Sequence, residues 1–246
     1  MYFYWWPDNY VFTMKLKGRT ALITGSSRGV GQQISLGLAS LGADIIVHGR
    51  KMENTIQTCE MLKKYDIKIH KLEGDLSDND QISNLANQVL SEFGGVDILY
   101  NNAAIMSAYQ NNIWEHTPEA WAKTFQVNLY AMYYICSAFI PGMIERGFGR
   151  VINLTSGIQD QPELAPYSAS KAAVDKLTKD IAVKLEKTGV RINMLDPGWL
   201  KTDMGGENAL YEVADVLPGA LVPAVIDDDG PNGQFFSAIE LKNSDL

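Results

Sequence analysis

The sequence contains few of the residues that form disulfides or metal centres. Its two cysteines, Cys59 and Cys136, lie in predicted helices without CxxC spacing. Its three histidines are scattered and form no HExxH pattern: His48, His70 and His116. We therefore expect reduced thiols in a cytoplasmic protein and no metal site. Only His48 lies near a motif.

A basic surface is also lacking, since the formal net charge is −8 and the pI is about 4.9. This balance disfavours binding to nucleic acid, which needs many cationic contacts to phosphate, but it permits a local basic pocket for a nucleotide. The 246 residues, 46% of them hydrophobic, contain no linker, repeat or low-complexity tract. We therefore expect one domain with a large core.

The aromatic segment at residues 1–13 lacks the basic region and long apolar core of a signal peptide, and it is too short to cross a bilayer. Three interpretations remain open: a translated extension before a start at Met14, an arm on a partner subunit, or an aromatic flap near a pocket. We expect the domain to occupy residues 14–246, with no membrane segment.

Short apolar runs alternate with helical patterns, which predicts an α/β fold with a doubly wound parallel sheet in three α/β/α layers. Predicted strands cover residues 20–24, 43–47, 67–72, 96–100, 150–156, 190–195 and 233–236. Predicted helices follow Gly31 and cover 55–65, 82–93, 117–147 and 167–187, with Pro141 ending or kinking the fourth. Residues 199–215 show little periodicity and are predicted to form a substrate lid.

The first strand runs into a glycine-rich turn that opens a helix, with Gly25, Gly29 and Gly31 at the turn. In this context glycines let the backbone approach a pyrophosphate, and the helix amides point at it. The alternative is a turn that needs glycine for geometry alone.

The second strand ends without the acid that usually binds the ribose 2′-hydroxyl of NAD. Arg50 stands there instead, with Arg28 as a possible second cation. Because guanidinium suits a 2′-phosphate, NADP(H) is favoured over NAD(H), unless Arg50 is merely solvated. Asp75 is a candidate for the adenine amino group or a helix cap, and Asp78 is the better cap candidate.

Tyr167 and Lys171 lie one helical turn apart. A phenol with a pKa of about 10 needs a partner for proton transfer near neutrality, and the Lys171 ammonium would lower that pKa. Ser156 ends a predicted buried strand, where ligands bind in open α/β sheets. An isolated Tyr/Lys pair is usually a surface contact, so the remaining motifs must decide.

The long helix after Thr117 is rich in aromatic residues on several faces, which indicates a subunit interface and a homodimer or homotetramer. Asn128 within it is either a satisfied core amide or a functional one.

The motifs together resemble the short-chain dehydrogenase/reductase family, in its single-domain, carbonyl-reductase-like branch, over residues 14–236. They occur in the family's order: Thr24-Gly25-x-x-x-Gly29-x-Gly31, Asn101-Asn102-Ala103, Asn128, Ser156, Tyr167-x-x-x-Lys171 and Pro197-Gly198-x-x-x-Thr202. The resemblance implies a Rossmann fold and hydride transfer between a nicotinamide and a carbonyl or secondary alcohol.

The resemblance also implies roles for individual residues. Tyr167 would be the acid or base, Ser156 would bind the substrate oxygen, and Lys171 would hold the ribose and lower the Tyr167 pKa. Asn128 would anchor a water linked to Lys171. Implied cofactor contacts are Thr24, Gly25, Ser27, Arg28, Gly29, Val30, Gly31, Arg50, Asp75, Leu76, Asn102, Ala103, Tyr167, Lys171, Pro197, Gly198 and Thr202, and Asn101 would line the ribose side.

Apolar residues on the predicted loops favour a hydrophobic ketone or aldehyde as the small-molecule substrate. The candidates are Ile105, Met106, Tyr109, Ile158, Leu164, Trp199 and Met204. Three features depart from the family pattern: Ala104, Tyr100, and a shorter interval between Ser156 and Tyr167.

Other functions remain open. One is reduction of a 3-oxoacyl thioester on an acyl carrier protein, which needs a basic patch near the entrance, for which Arg146 and Arg150 are candidates. Another is a hydroxysteroid or polyol dehydrogenase. A non-catalytic nucleotide sensor would be expected to lack Tyr167, Lys171 or Ser156, and all three are present.

Overall fold

The computed structural model describes residues 16–246, and these form one seven-stranded parallel sheet between two layers of helices. The strand order is β3-β2-β1-β4-β5-β6-β7, so the direction of winding reverses between β1 and β4. This arrangement confirms the predicted doubly wound sheet. The predicted aromatic extension at residues 1–13 and the start at Met14 lie outside the described residues.

The strands are β1 Thr20–Ile23, β2 Asp44–Gly49, β3 Ile69–Glu73, β4 Ile98–Asn101, β5 Gly149–Leu154, β6 Val190–Asp196 and β7 Phe235–Ser237. The α-helices are α1 Gly29–Ser40, α2 Ile56–Leu62, α3 Asn79–Phe93, α4 Pro118–Phe125, α5 Ala131–Arg146 and α6 Ala165–Leu185.

Both faces of the sheet are covered because successive strand residues point to opposite sides. In β1, Leu22 belongs to one apolar cluster and its neighbour Ile23 to the other. Ile34 of α1 packs in the Ile23 cluster, and Phe139 of α5 packs in the Leu22 cluster. The continuous apolar strands of the sequence therefore build two cores.

The helical stretch Pro118–Arg146 is long and apolar enough to cross a membrane by length and composition, yet half of its most apolar window is buried inside the fold. Thr117 caps its start by accepting a hydrogen bond from Ala120 N–H. A π-helical turn at Gln126–Tyr130 separates α4 from α5. Pro141 does not end α5, which continues to Arg146.

The second helix is shorter than the predicted 55–65. A 3₁₀ turn occupies Met52–Thr55, and the α-helix ends at Leu62. It ends there because Tyr65 N–H donates to Leu62 O and Ile67 N–H donates to Tyr65 O, which turns the chain toward β3.

The segment at 199–215, predicted as a lid, is tied down at two points. Leu200 pairs with Tyr211 in a β-bridge and is only 3% exposed. The Trp199 indole N–H donates to Gly205 O at 2.8 Å. Its lid function stays a prediction.

Arg150, a candidate for a basic patch at the entrance, is instead fully buried near the amino end of β5. Its guanidinium donates to the carbonyls of Gly149, Gly189 and Ile226 and to Asp228 Oδ1. Arg146 donates to the carbonyls of Gly94 and Val96. Both arginines therefore anchor loops at the edge of the sheet opposite Ser156, so these two candidates form no basic patch at the entrance.

We expect Arg150→Ala to lower the free energy of unfolding by about 3 kcal/mol or more, because it leaves a cavity and three buried carbonyls without donors. Urea unfolding at fixed protein concentration measures this. Lys176→Ala, which removes only an exposed pair with Asp180, is the control and should change stability by less than about 0.5 kcal/mol. An equally small effect of Arg150→Ala would contradict the anchoring role.

Candidate active site

The predicted site residues gather at the carboxyl edge of the sheet, in the loops after β1 to β6, on the first turns of α6 and in the π-helical turn between α4 and α5. The reversal of strand order between β1 and β4 opens a crevice at this edge, the usual ligand position in such sheets.

The glycine turn leaves the amino end of α1 open to a ligand. Arg28 precedes the helix with no side-chain cap, so the first backbone N–H groups of α1 can bind phosphate. Gly29 has φ of 60°, which disfavours any residue with a side chain. A Cβ on Gly31 would lie 2.5 Å from Asn102 Nδ2, so this glycine permits close packing of the turn on β4. The turn therefore fits the pyrophosphate of a dinucleotide.

Thr24 and Asn102 hold the ends of β1 and β4 together. Thr24 Oγ1 accepts hydrogen bonds of 3.0 Å from the N–H groups of Asn102 and Ala103. Asn102 Nδ2 donates to Thr24 O at 2.7 Å and to Gly25 O at 3.2 Å. These side chains therefore shape the glycine turn, and their direct contact with a cofactor stays a prediction.

His48, near the end of β2, connects two loops of the dinucleotide crevice. Gly25 N–H donates to His48 Nδ1 at 2.9 Å, and Nε2 lies 3.0 Å from Gly74 O. Since Nδ1 accepts, Nε2 carries the proton and donates to Gly74. Burial lowers the His48 pKa to about 4, against the raising effects of the Gly74 hydrogen bond and the Asp75 charge. The imidazole is therefore neutral near pH 7.

The two predicted phosphate-binding arginines have different surroundings. Arg50 is exposed at the end of β2, and its charge contributes to the lowered pKa of Asp75, behind the larger effect of hydrogen bonds from Ser77. Arg28 pairs with Asp203 at 3.0 Å, both side chains being exposed. Arg50 is thus beside the predicted adenine site, whereas Arg28 joins the glycine turn to the segment after β6.

Asp78 caps α3 by accepting from Asp80 N–H and Gln81 N–H, which confirms it as the better cap. Asp75 accepts from the N–H and hydroxyl of Ser77. Leu76, a predicted cofactor contact, has its side chain buried in the core at 5% exposure, so only its main chain can face the crevice.

Lys171 is a buried ammonium, 4% exposed, whose Nζ donates to Leu154 O at 2.7 Å. Burial lowers its pKa to about 8, while the charges of Asp175 and Asp196 act in the opposite direction. Nζ lies 5.7 Å from the centroid of the Tyr167 ring. The one-turn spacing therefore brings ammonium and phenol together at the edge of the crevice, as predicted.

Tyr167 differs from the prediction in its acidity. Burial raises its pKa, a hydrogen bond with Ser156 lowers it, and the charge of Asp196 raises it further. The expected lowering by Lys171 does not dominate, because the ammonium is held by Leu154 O and the phenol is largely desolvated. Ser156 Oγ also accepts from Ile158 N–H at 3.2 Å, so the serine belongs to the same cluster despite the shortened loop.

Asn128 sits in the π-helical turn and is 3% exposed. Its Oδ1 accepts from Ile105 N–H at 2.8 Å, and its Nδ2 donates to Ile105 O and to Ser170 Oγ. The amide therefore clamps the loop after β4 to α6. The predicted water link to Lys171 stays a prediction.

The predicted substrate contacts lie on three loops of the same edge. Ile105 follows β4 and is partly buried, and Ile158 and Leu164 follow β5. Trp199 and Met204 follow β6 and are 50% and 38% exposed. Among the more peripheral candidates, Tyr109 is largely exposed.

The segment after β6 reaches the glycine turn. A Cβ on Gly29 would lie 3.6 Å from Thr202 Cγ2, and Gly198 N–H donates to Asp196 Oδ1. Thr202 therefore lies beside the glycine turn, and contact of Pro197, Gly198 and Thr202 with a cofactor stays a prediction. The side chain of Asn101 points away from the crevice, since its amide donates into the interior to Asn153 Oδ1 and contacts Cys136 Sγ.

Sequence reasoning assigned no role to three ionisable residues of the site: His48, Asp175 and Asp196. His48 had one signal, its position at the strand end where an acid was expected. Asp196 had a signal in its place directly before Pro197-Gly198. Asp175 is one turn beyond Lys171 on α6, and only burial shows that its charge matters.

Comparison with known proteins gives one consistent result. The family profile described as short chain dehydrogenase matches residues 19–211. A 3alpha-hydroxysteroid dehydrogenase from Mediterraneibacter gnavus is 36% identical over 78% of this chain and 77% of its own length. A D-beta-hydroxybutyrate dehydrogenase from Cupriavidus necator is 33% identical over 92% of this chain and 88% of its own.

A solved structure shows the same fold. The gluconate 5-dehydrogenase from Burkholderia cenocepacia, in complex with NADP and tartrate, superposes with a TM-score of 0.80 at 28% identity, covering 94% of this chain and 98% of that one.

We expect acid to weaken the folded state partly through His48. Its folded pKa of about 4 lies below the ordinary histidine value of 6.5, so the unfolded state binds the proton more readily between these values. Stability from the neutral ring is complete above pH 6.5 and is lost as the pH falls toward 4. When the pH falls from 7 to 4, the free energy of unfolding of His48→Asn, measured with urea, should decrease by about 3 kcal/mol less than that of wild type. Equal losses of unfolding free energy in wild type and His48→Asn would contradict a buried neutral imidazole.

Proposed function

The chain belongs to the short chain dehydrogenase family, and we propose that it is an NADP(H)-dependent oxidoreductase that interconverts a hydrophobic ketone or aldehyde and its alcohol. The observation that carries the proposal is the cluster of Ser156, Tyr167 and Lys171 at the carboxyl edge of the sheet, beside an open helix amino end. Oxidoreduction at CH–OH groups is the chemistry of the family.

The chain's own residues would act on the substrate oxygen. Ser156 Oγ orients this oxygen toward the Tyr167 hydroxyl, which gives it a proton during reduction and takes one during oxidation. Lys171 Nζ stabilises the phenolate left after proton transfer, and its hydrogen bond to Leu154 O fixes the ammonium. When bound, NADP(H) supplies or accepts the hydride.

The raised Tyr167 pKa suits proton donation. A phenol that stays protonated through neutral pH is ready to protonate a carbonyl, whereas alcohol oxidation needs the phenolate and therefore higher pH. This balance supports reduction as the direction of the proposed reaction near pH 7.

Three observations support NADP(H) over NAD(H). The end of β2 carries the neutral imidazole of His48 instead of a carboxylate. Arg50 follows it and is exposed. The charge of Arg50 reaches Asp75, and a guanidinium after this strand would suit a 2′-phosphate.

Arg146 and Arg150 supply no basic patch for a thioester reductase, because they bind carbonyls at the opposite edge of the sheet. Six residues of extended chain between Arg150 and Ser156 correspond to roughly 20 Å. A hydrophobic substrate is favoured instead by Ile105, Ile158 and Leu164.

We also propose a cytoplasmic homo-oligomer. Tyr130, Tyr133 and Tyr134 are each about half exposed on the π-turn and α5. An apolar, aromatic helix face of this kind is typical of a subunit interface. The two buried cysteines are free thiols, which suits a reducing compartment. The segment 199–215 would cover the bound substrate.

Tyr167→Phe removes only the hydroxyl. We expect kcat to fall by about 10² to 10⁴ because proton transfer is lost, while NADPH binds within about twofold of wild type. Steady-state assays with a ketone and aldehyde panel, and fluorescence titration of NADPH, measure the two effects. Tyr65→Phe, between α2 and the amino end of β3, is the control and should leave both unchanged. Retained turnover in Tyr167→Phe would refute the acid/base role.

Arg50→Asp replaces the proposed phosphate ligand by a repelling charge. We expect NADPH affinity to fall about 30-fold or more, with NADH affinity within about threefold, since only NADPH carries the 2′-phosphate. Fluorescence titration of both cofactors measures this, with Lys64→Asp, an exposed cation after α2, as the charge-matched control. Equal losses for NADPH and NADH would show that Arg50 does not read the 2′-phosphate.

A further inference from the structure

Asp196, the last residue of β6, joins two loops at the centre of the candidate active site. Its Oδ1 accepts a 3.0 Å hydrogen bond from Gly198 N–H. Burial has the larger effect and raises the pKa of this carboxyl group, whereas interaction with the backbone N–H groups of Gly198 and Gly157 lowers it. A Cβ on Gly157 would lie 2.9 Å from Oδ2, so only glycine lets the loop after β5 approach so closely. One carboxyl group therefore connects the serine loop with the turn after β6.

These two loops would hold the two reactants of the proposed reaction, the substrate and the cofactor. The loop after β5 contains Ser156, which would hold the substrate oxygen, and the turn after β6 contains Pro197 and Gly198, which would flank the nicotinamide. Rigid placement of both partners is a large part of catalysis, since small displacements reduce the rate steeply. A fixed link between the loops would therefore set the distance between substrate and cofactor.

The two donors face different oxygens of the carboxyl group, Gly198 N–H at Oδ1 and Gly157 on the side of Oδ2, so an asparagine side chain, with one oxygen, could not replace the acid. The titratable groups that interact with Asp196 come from α6: Lys171, Tyr167 and Asp175. From β7 the contact is through the backbone, where Ala238 N–H donates to Asp196 O. Lys171 Nζ donates to Leu154 O, and Leu154 pairs in the sheet with Leu195, the residue directly before Asp196. The buried ammonium therefore lies near carboxyl groups on two elements, Asp175 one turn along the helix and Asp196 at the strand end.

We propose that Asp196 is a positioning residue of the reaction, which fixes the serine loop against the turn after β6 and provides a counter-charge that keeps the Lys171 ammonium ionised. The inference rests on the proposed function, since both loops act there on substrate and cofactor. Asp196 touches neither reactant and acts through Gly157, Gly198 and Lys171. Without its charge, desolvation would favour neutral Lys171 at the pH of the assay.

The counter-charge is tested by titrating Lys171 directly, without turnover. Lysine labelled with ¹³C at Cε is followed by NMR from pH 6 to 10, and the Lys171 signal is assigned by its loss in Lys171→Arg. In wild type it should titrate at about 8. In Asp196→Asn we expect a fall on the order of 0.5 pH unit. Asp180→Asn, on the exposed face of the same helix, should leave it unchanged. An unchanged Lys171 titration in Asp196→Asn overturns the counter-charge.

Gly157→Ala tests the connection between the serine loop and the turn after β6. It also takes the place of Asp196→Asn as the test variant if that protein does not fold. Its methyl group would displace the carboxyl group, so Lys171 should again titrate lower, and kcat should fall at least about tenfold while NADPH affinity stays within about twofold. In both variants the alkaline loss of reductase activity should move to lower pH, because the ammonium and the protonated phenol are lost earlier. Wild-type kcat in Gly157→Ala overturns the link.

Failure of the proposed function can be distinguished from failure of the inference about Asp196. If wild type neither binds NADPH nor reduces any ketone or aldehyde, the proposed function fails, while the NMR titration still decides whether Asp196 acts on Lys171.

Discussion

A buried ammonium determines the organisation of the carboxyl edge of this sheet. At 4% exposure, Lys171 donates a hydrogen bond to a backbone carbonyl, and the charges of Asp175 and Asp196 favour its ionised form. The carbonyl belongs to Leu154, the last residue of β5, two residues before Ser156. The position of the serine, the helix bearing Tyr167 and the acid at the end of β6 all follow from keeping this one charge inside the fold.

The sheet and the main site could be predicted because they depend on short-range patterns. Apolar runs of strand length alternate with helical periods, and a parallel sheet brings every strand end to one edge. This placement brings Ser156, Tyr167 and Lys171 to that edge, but their roles were implied by the resemblance to the family's motifs. Helix ends were less predictable, since the early end of α2 depends on backbone hydrogen bonds of Tyr65 and Ile67 that no residue pattern indicates.

The sequence did not show which polar and charged side chains are buried. Arginine is usually a surface residue, yet Arg150 is fully buried, because three carbonyls and Asp228 bind its guanidinium. The raised Tyr167 pKa and the neutral His48 have the same origin, since desolvation outweighs neighbouring charges in both. Asn101 shows the converse: a motif residue whose side chain points into the interior.

The π-helical turn at Gln126–Tyr130 changes the angular phase of the helix that contains it. One extra residue in an α-helix advances the following side chains by about 100°. The residues before the turn can therefore face one neighbour and those after it another. In this fold α4 contacts α6, and α5 contacts α3. A single continuous helix thus serves two neighbours at different angles, with Asn128 at the point where the phase changes. Deleting one residue of this turn would rotate one half of the helix out of register with its neighbour and release the loop that Asn128 clamps.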